Sequence, residues 1–139
     1  MSDSAEDPAT MNQQDRRAIE QDCARLIARY ANLNDAGDWE AVAALYAPDG
    51  RMSRPTAPDD WIEGQTAILA AFQSRPLRKT RHICSNIVID VLAPDRAEAE
   101  SAMLLFTNEG PPKVGSFHDR LIRINGDWRF SERRGTLSF

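Results

Sequence analysis

His82 and Asp35 are the two residues whose types and positions best suit proton transfer. His82 begins a run of β-branched residues, which predicts a strand, and Asp35 ends a helical pattern upstream. A carboxylate that meets an imidazole orients the ring and raises its basicity. We therefore predict a catalytic Asp35–His82 pair. The alternatives are a strand-end histidine that is hydrogen-bonded for structure and an aspartate that serves a turn.

Three further polar residues are placed to face the same site. Tyr30 and Asn34 stand one helical turn apart, so both side chains point the same way. A buried tyrosine hydroxyl requires a hydrogen-bond partner, and Asn86 can aim its amide at a carbonyl or an oxyanion. We predict a catalytic role for Tyr30 and substrate binding by Asn34 and Asn86. Core packing and structural hydrogen bonding stay as alternatives.

Large apolar and aromatic side chains supply candidate walls for a pocket. Trp61 follows a proline-rich stretch at 55–60, which we interpret as a loop that forms a lid. The further residues expected to contact a substrate are Tyr46, Trp61, Phe72, Met103 and Phe106. The expected ligand is a small, mostly apolar or aromatic molecule that carries a few oxygens.

The composition excludes several other classes of function. The 139 residues carry a net charge of −4 with acidic and basic residues interspersed, whereas nucleic-acid binders usually present a basic face. The sequence contains no metal-type spacing of His, Cys and Asp, no nucleophile elbow and no glycine-rich phosphate loop. Any catalysis is therefore expected to be acid–base chemistry without a metal or a cofactor.

Cysteine usage and the chain start predict a cytoplasmic protein. Cys23 and Cys84 share no metal-type or redox motif, so we interpret both as reduced packing residues. The first ten residues lack the basic end and the apolar run of a secretory signal, and no stretch has transmembrane length.

The basic residues of the last part of the chain are expected to serve the surface. Five arginines there should form a solvated sheet face, salt-bridged to glutamates, in preference to binding an anionic substrate. They are Arg120, Arg123, Arg129, Arg133 and Arg134. His118 and Asp119 are adjacent on a predicted strand and must face opposite sides, so they should not form a second dyad.

The order of elements predicts one α+β domain over residues 12–139, after a disordered tail at 1–11. Apolar residues at three- and four-residue steps from Ile19 to Leu33 indicate a first helix, and Asp38 is the expected N-cap of a second at 39–46. A third helix is expected at 64–72. The predicted strands are 51–55, 82–92, 97–107, 114–124 and 128–137, with a hairpin turn at Asn125-Gly126. An antiparallel meander after helices must curl over them, which encloses a pocket.

The strand that begins at His82 presents a conflict. Strict alternation places His82 on one face with Cys84, whereas Ile83, Ile87 and Ile89 occupy the other, more apolar face. Either a bulge near Cys84 re-aims the histidine, or both faces are covered, one by helices and one by a second subunit. We favour the second explanation, which predicts a homodimer, or less readily a trimer, formed through the sheet.

Several short motifs, in this order, resemble those of a known family. They are Tyr30 with Asn34-Asp35-Ala36-Gly37-Asp38-Trp39, then Leu45-Tyr46-Ala47-Pro48-Asp49-Gly50, Gly64-Gln65-Thr66-Ala67-Ile68, Thr80-Arg81-His82 with Ser85-Asn86, and Gly126-Asp127-Trp128-Arg129-Phe130. The pattern is similar to the SnoaL-like branch of the nuclear-transport-factor-2-like superfamily. The resemblance implies a cystatin-like fold, in which a cone-shaped, strongly curved antiparallel sheet wraps around N-terminal helices and encloses a pocket.

The resemblance also bears on the site residues. Asp35 and His82 match the Asp–His dyad of scytalone dehydratase and of hexachlorocyclohexane dehydrochlorinase, and Tyr30 matches a tyrosine of the bacterial bile-acid dehydratase. The chain departs from scytalone dehydratase in two ways. Residues 104–109 contain no second active-site histidine, and Asn34 stands before Asp35, so the water-binding tyrosine pair lacks a full counterpart. The chain also resembles the β subunits of ring-hydroxylating dioxygenases, which are mainly structural partners.

These observations predict a cofactor-independent lyase, such as a dehydratase, or an isomerase. In this hypothesis His82 removes a proton, Asp35 orients it, and Tyr30 with Asn86 stabilises the developing negative charge. The alternative is a non-catalytic ligand-binding or accessory module on the same fold.

Overall fold

The computed structural model describes residues 11–76 and 78–139. Three helices and six strands follow one another along the chain: α1 Gln13–Ala36, α2 Trp39–Ala44, β1 Tyr46–Arg54, β2 Ala57–Glu63, α3 Gln65–Gln73, β3 Thr80–Ala93, β4 Arg96–Thr107, β5 Lys113–Ile124 and β6 Asp127–Leu137. The predicted disordered tail lies outside the described residues except for Met11, which packs against the core. The α+β class is confirmed.

The strands form a single curved, unclosed sheet in the order β2-β1-β6-β5-β4-β3. The meander of β3, β4, β5 and β6 is antiparallel, as predicted. β1, however, pairs with β6 in parallel, so the sheet is mixed. The reason is topological, since β1 and β6 are joined through the whole intervening chain and not through a hairpin. α1 lies against the inner face of the sheet and the two enclose the main core.

α1 follows the predicted amphipathic pattern. Its N-cap, Asn12, accepts a hydrogen bond from the Asp15 backbone N–H at 2.7 Å. It ends at Gly37, whose φ of 72° supplies the left-handed closing conformation. The buried stripe is Ile19, Cys23, Leu26, Ile27, Tyr30, Ala31 and Asn34. The next helix is capped by the Asp38 side chain, as predicted. This geometry brings Asp35, in the last turn of α1, to the start of β3.

The proline-rich stretch is a strand and not the predicted loop. Only the turn around Pro55 and Thr56 separates β1 from β2, which begins at Ala57 and pairs with β1. β2 is the edge strand of the sheet. Pro58 has no N–H to donate, and at this edge its absence deprives no neighbouring strand of a hydrogen bond. Trp61 lies in this strand beneath the Arg51 guanidinium, 3.9 Å from its ring centroid. The predicted lid at Trp61 is therefore wrong.

A one-residue β-bulge resolves the conflict on β3. Ser85 pairs with Ala102 and Val88 with Glu100, so three steps on β3 match two on β4. Asn86, at a φ of 53°, is the distorted residue. Before the bulge His82 and Cys84 face inward, and after it Ile87 and Ile89 do. The first of the two explanations is thus correct and the favoured one, a second covered face, is wrong for Ile87 and Ile89. Ile83 alone of the three isoleucines is exposed.

The bulge makes a specific demand on Asn86, because only Gly and Asn adopt the left-handed conformation readily. We expect Asn86→Val to lower the free energy of unfolding by about 1–2 kcal/mol, as a β-branched residue is strained at a positive φ. Urea denaturation followed by circular dichroism measures this loss.

The matched control is Asn86→Gly, which removes the same amide without imposing strain. Its free energy of unfolding should stay close to that of the unmodified protein. An equal loss in both variants would mean that contacts of the amide, and not backbone conformation, stabilise the bulge.

Candidate functional site

A cavity of about 440 Å³ opens between α1, the inner face of the sheet and the segment that joins α3 to β3. Five of the predicted site residues line it: Tyr30, Asn34, Tyr46, His82 and Met103. They come from α1, β1, β3 and β4, so the curvature of the sheet is what brings them together. The remaining walls include Met52, Leu105, Phe117, Arg133 and Leu137.

Asp35 and His82 form the predicted pair. The Asp35 Oδ1 atom lies 2.6 Å from His82 Nδ1. The carboxylate does not itself line the cavity but stands behind the ring, and both side chains are largely shielded from solvent. Because Nδ1 is engaged by Asp35, Nε2 is the nitrogen that remains for a ligand. A carboxylate selects the Nδ1–H tautomer, which leaves a lone pair on Nε2.

The start of β3 supplies further donors that hold the Asp35 carboxylate. The Thr80 hydroxyl donates to Oδ1 at 3.0 Å, and the His82 backbone N–H donates to Oδ2 at 2.8 Å. Arg81 Nη1 lies 3.7 Å from Oδ2 on the solvent side. The Thr80-Arg81-His82 motif thus positions its own aspartate. Asp35 is an orienting group held from several directions, and the turn-residue alternative does not describe it.

Burial decides the protonation state of His82. Burial lowers the pKa of the His82 ring below its ordinary 6.5, and the hydrogen bond and negative charge of Asp35 offset part of that change. The ring is therefore neutral at pH 7, as a general base must be. The positive charges of Arg133 and Arg75 lower the pKa further.

Two tyrosine hydroxyls meet at the cavity wall. Tyr30 Oη and Tyr46 Oη are 2.9 Å apart, and both side chains are buried. Burial raises the pKa of both phenols above 10.0, so both stay protonated at neutral pH and one hydroxyl can donate to a ligand. No second tyrosine adjoins Asp35 in the sequence, where Asn34 stands. The second hydroxyl comes instead from the first residue of β1.

Arg133 is the important residue that sequence reasoning misplaced. It is buried at 1% exposure and lines the cavity, whereas we expected it on a solvated face. Its guanidinium lies over the rings of Tyr30 and Phe117, at 4.4 and 3.8 Å from their centroids. Asp119, equally buried, is 3.3 Å from Arg133 Nε. Burial raises the pKa of Asp119 to about 6, and the positive charge of the guanidinium limits that rise.

A second bulge turns Arg133 toward the inner face of the sheet. Leu121 pairs with Phe130 and Arg120 with Glu132, so Ser131 is an extra residue in β6. The inward positions therefore change from Trp128 and Phe130 to Arg133. The inward orientation of Asp119 could have been predicted from the sequence, since it alternates with the apolar Phe117 and Leu121 on β5. As predicted, His118 faces the opposite side, where its Nδ1 lies 3.4 Å from Glu100.

The guanidinium of Arg133 has unused hydrogen-bonding capacity. None of its three nitrogens has a hydrogen-bond partner of good geometry within the described part of the chain, and both Asp119 oxygens are also unpaired. Buried donors without acceptors are costly. A cavity-lining guanidinium in this state is suited to bind an oxygen of a ligand.

Four predicted substrate contacts lie elsewhere. Asn86 is exposed at the bulge, where its amide oxygen accepts from the Ser85 hydroxyl. Trp61 stacks on Arg51, and Phe72 is a core residue stacked on Trp39. Phe106 is 43% exposed on the outer face of β4. These four assignments are corrected. Strand alternation, the edge position of β2 and the burial of α3 in the core direct these side chains away from the cavity.

Both cysteines are free, with Cys23 buried and Cys84 half-buried beside the site. Within residues 11–76 and 78–139 no cluster of three His, Cys, Asp or Glu side chains is arranged to hold a metal ion. None of the helices in that part of the chain combines the length and the apolarity needed to cross a bilayer.

Comparison with known proteins agrees with this architecture. Residues 14–134 match the family model of the SnoaL-like domain. A candidate scytalone dehydratase from Novosphingobium aromaticivorans has a similar structure, with a TM-score of 0.82, 23% identity, and coverage of 92% of this chain and 89% of that one. A hexachlorocyclohexane dehydrochlorinase (LinA, type 2) has a TM-score of 0.82 at 16% identity, covering 92% and 90%. A Mycobacterium tuberculosis protein of unknown function is 26% identical, with a TM-score of 0.79, covering 92% and 77%. Comparison with curated proteins finds no significant match.

The surroundings of His82 lead to a pH prediction. We expect its ring to titrate below pH 6.5 in the folded protein, and Asp35→Asn to lower the pKa further, because the carboxylate favours the protonated ring. Since the folded state takes up a proton less readily than the unfolded one, stability from this group is complete above pH 6.5. It is lost as the pH falls through the folded pKa.

Ring-proton NMR titration measures this, with His118→Ala used to leave one histidine signal. Asp38→Asn is the matched control, because it removes an equal charge nearby from a residue that only caps α2. A His82 pKa that rises in Asp35→Asn, or shifts equally in Asp38→Asn, would contradict the assignment.

Proposed function

Because this chain belongs to the SnoaL-like domain family, we propose that it is a cofactor-independent acid–base enzyme, a dehydratase or other lyase, or an isomerase. The observation that carries the proposal is the 2.6 Å contact between Asp35 and a His82 ring that lines the cavity. Support comes from a ring kept neutral at pH 7 by burial. The name of the Novosphingobium relative and that of the dehydrochlorinase refer to eliminations, and this chain shares their fold.

The proposed reaction begins with removal of a proton from carbon. Nε2 of neutral His82 takes a proton beside a carbonyl, and the negative charge of Asp35 stabilises the imidazolium that forms. The electron pair of the C–H bond moves toward the carbonyl oxygen. In a dehydratase it then expels a hydroxyl group from the next carbon, which leaves as water with the proton held by His82. In an isomerase the same proton returns to another carbon.

The oxygen that gains charge is expected to lie near Tyr30, Tyr46 and Arg133. The paired tyrosine hydroxyls supply one donor, and the Arg133 guanidinium, whose contact with Asp119 is not a well-directed hydrogen bond, supplies others. Such preorganised donors typically contribute about 10²–10³ in rate each. Asn86, to which we assigned this role from sequence, is too exposed at its bulge to take part.

We also retain the proposal of a cytoplasmic homodimer. The outer face of the sheet exposes Ile83, Leu104 and Phe106, of which Ile83 and Leu104 are directly paired across β3 and β4. Exposed apolar side chains that are adjacent in this way commonly mark an interface. A trimer is the alternative assembly that sedimentation equilibrium would distinguish.

Proton abstraction is tested with a reporter that needs no knowledge of the natural substrate. 5-Nitrobenzisoxazole loses its C3 proton to a base while its N–O bond breaks, which yields a coloured cyanophenolate. We expect His82→Ala to lower the cavity-dependent rate at least about a hundredfold, the typical contribution of a positioned base, with unfolding unchanged.

The matched control is His118→Ala, which removes the other, exposed histidine and should retain the rate. The rate should also decrease as the pH is lowered through the pKa of His82, because the protonated ring cannot accept a proton. A wild-type rate no greater than that of His82→Ala, combined with unchanged ligand binding, would support the non-catalytic binding module instead.

Sedimentation equilibrium tests the dimer. We expect a mass of twice 15.6 kDa for the wild type and monomer for Leu104→Glu, because a buried unpaired charge in an interface is costly. Val88→Glu, at a separate exposed position of β3, is the control. A wild type that stays monomeric at high concentration would contradict the proposal.

A further inference from the structure

The mouth of the cavity is strongly basic although the chain as a whole is acidic. Four cationic residues line it together with Arg133: Arg54, Arg75, Arg78 and Lys113. Glu109 is the one acidic residue among the described lining residues. With a net charge of −4 for the whole sequence, this segregation of charge is a local property of the cavity. Clefts lined by one sign of charge concentrate ligands of the opposite sign.

No ion pair neutralises these cations within the part of the chain that the structure describes. The ion pairs within residues 11–76 and 78–139 involve none of Arg54, Arg75, Arg78 and Lys113. The surface arginines Arg51 and Arg134, by contrast, each bind a carboxylate. The basic residues at the mouth are therefore arranged differently from the salt-bridged residues outside.

Two of the arginines are held in place. The Arg54 Nη2 donates to the Ala71 carbonyl at 3.2 Å, and its buried Nε has no partner among the described residues. The Arg75 guanidinium is half-buried over the Phe72 ring, 4.4 Å from the centroid. Burial lowers the pKa of Arg75, and the charges of Arg54 and Arg78 lower it further. Burial and the neighbouring positive charges therefore disfavour the charged form of Arg75, and a nearby anion would stabilise it.

The depth of the cavity has the opposite character. The buried Met103, Leu105 and Phe117 give it an apolar wall, and His82 with the tyrosine pair gives it a polar one. A ligand that satisfies both regions is an apolar body with an anionic group at one end.

We propose that the substrate is an organic anion, an apolar acid whose carboxylate or comparable oxyanion is held at the cavity mouth by Arg75 with Arg54 and Arg78. Its apolar body extends past His82 toward Arg133. This inference rests on the proposed function for the reaction, but it concerns binding alone and is tested without turnover. It narrows the mostly apolar, oxygen-bearing ligand expected from the sequence to one that carries a negative charge.

A pair of fluorescent probes tests the proposal. 8-Anilinonaphthalene-1-sulfonate and N-phenyl-1-naphthylamine share an apolar body, and only the first carries an anion. We expect the wild type to bind the sulfonate about tenfold more tightly than the neutral probe, the scale of one charge-assisted contact, with the difference shrinking at high salt.

Arg75→Gln should weaken binding of the sulfonate about tenfold and leave the neutral probe unaffected. Arg120→Gln is the matched control, because it removes the same charge from the outer face, where Arg120 is exposed. Arg78→Gln, at an exposed position, provides a second test if Arg75→Gln destabilises the fold. Equal affinity of the wild type for both probes, or equal weakening of both by Arg75→Gln, would overturn the proposal.

His82→Ala separates this inference from the proposed function. It should lower benzisoxazole cleavage at least about a hundredfold while the preference for the sulfonate over the neutral probe is retained. Selective loss of sulfonate binding in Arg75→Gln, in a protein without cleavage activity, would support the anion site and contradict the enzyme. Normal cleavage without discrimination between the probes would do the reverse.

Discussion

The carboxylate of Asp35 joins the two parts of the molecule on which the site depends. It closes the end of α1 and accepts hydrogen bonds from the Thr80 hydroxyl, the His82 ring and the His82 backbone N–H. β3 lies at the edge of the sheet, with β4 as its one strand neighbour. Asp35 therefore anchors the start of this strand to the helix, and the group that orients the base also fixes the backbone that carries it.

Two bulges determine which side chains face the cavity. A one-residue insertion reverses the alternation of a strand beyond it. The bulge at Asn86 allows His82 and the later isoleucines to face the same interior, and the bulge at Ser131 turns Arg133 inward. Without them one histidine and one arginine would project to the outer face. The site is thus built by two local departures from regular strand geometry.

The two bulges determine how much of the site could be predicted from the sequence. The helical period of α1 predicted that Tyr30 and Asn34 share a face, since no bulge interrupts a 3.6-residue period, and Asp35 was located by the end of the helical pattern. His82 was recognised by its chemistry and motif, whereas strict alternation would have left it with no reason to face inward. Arg133 was missed because five arginines in two strands resemble a solvated face, and a shift of one residue is invisible in composition.

The charges inside the core support the proposal that the cavity binds a ligand oxygen. Burying Arg133 and Asp119 carries a desolvation cost that their mutual attraction offsets only with good geometry. Here the two groups are 3.3 Å apart without a well-directed hydrogen bond, and the guanidinium leans instead on aromatic rings. A purely structural pair would be expected to close fully. An incompletely bonded guanidinium on the cavity wall retains donors for an incoming acceptor, in agreement with the proposed role of Arg133 in binding.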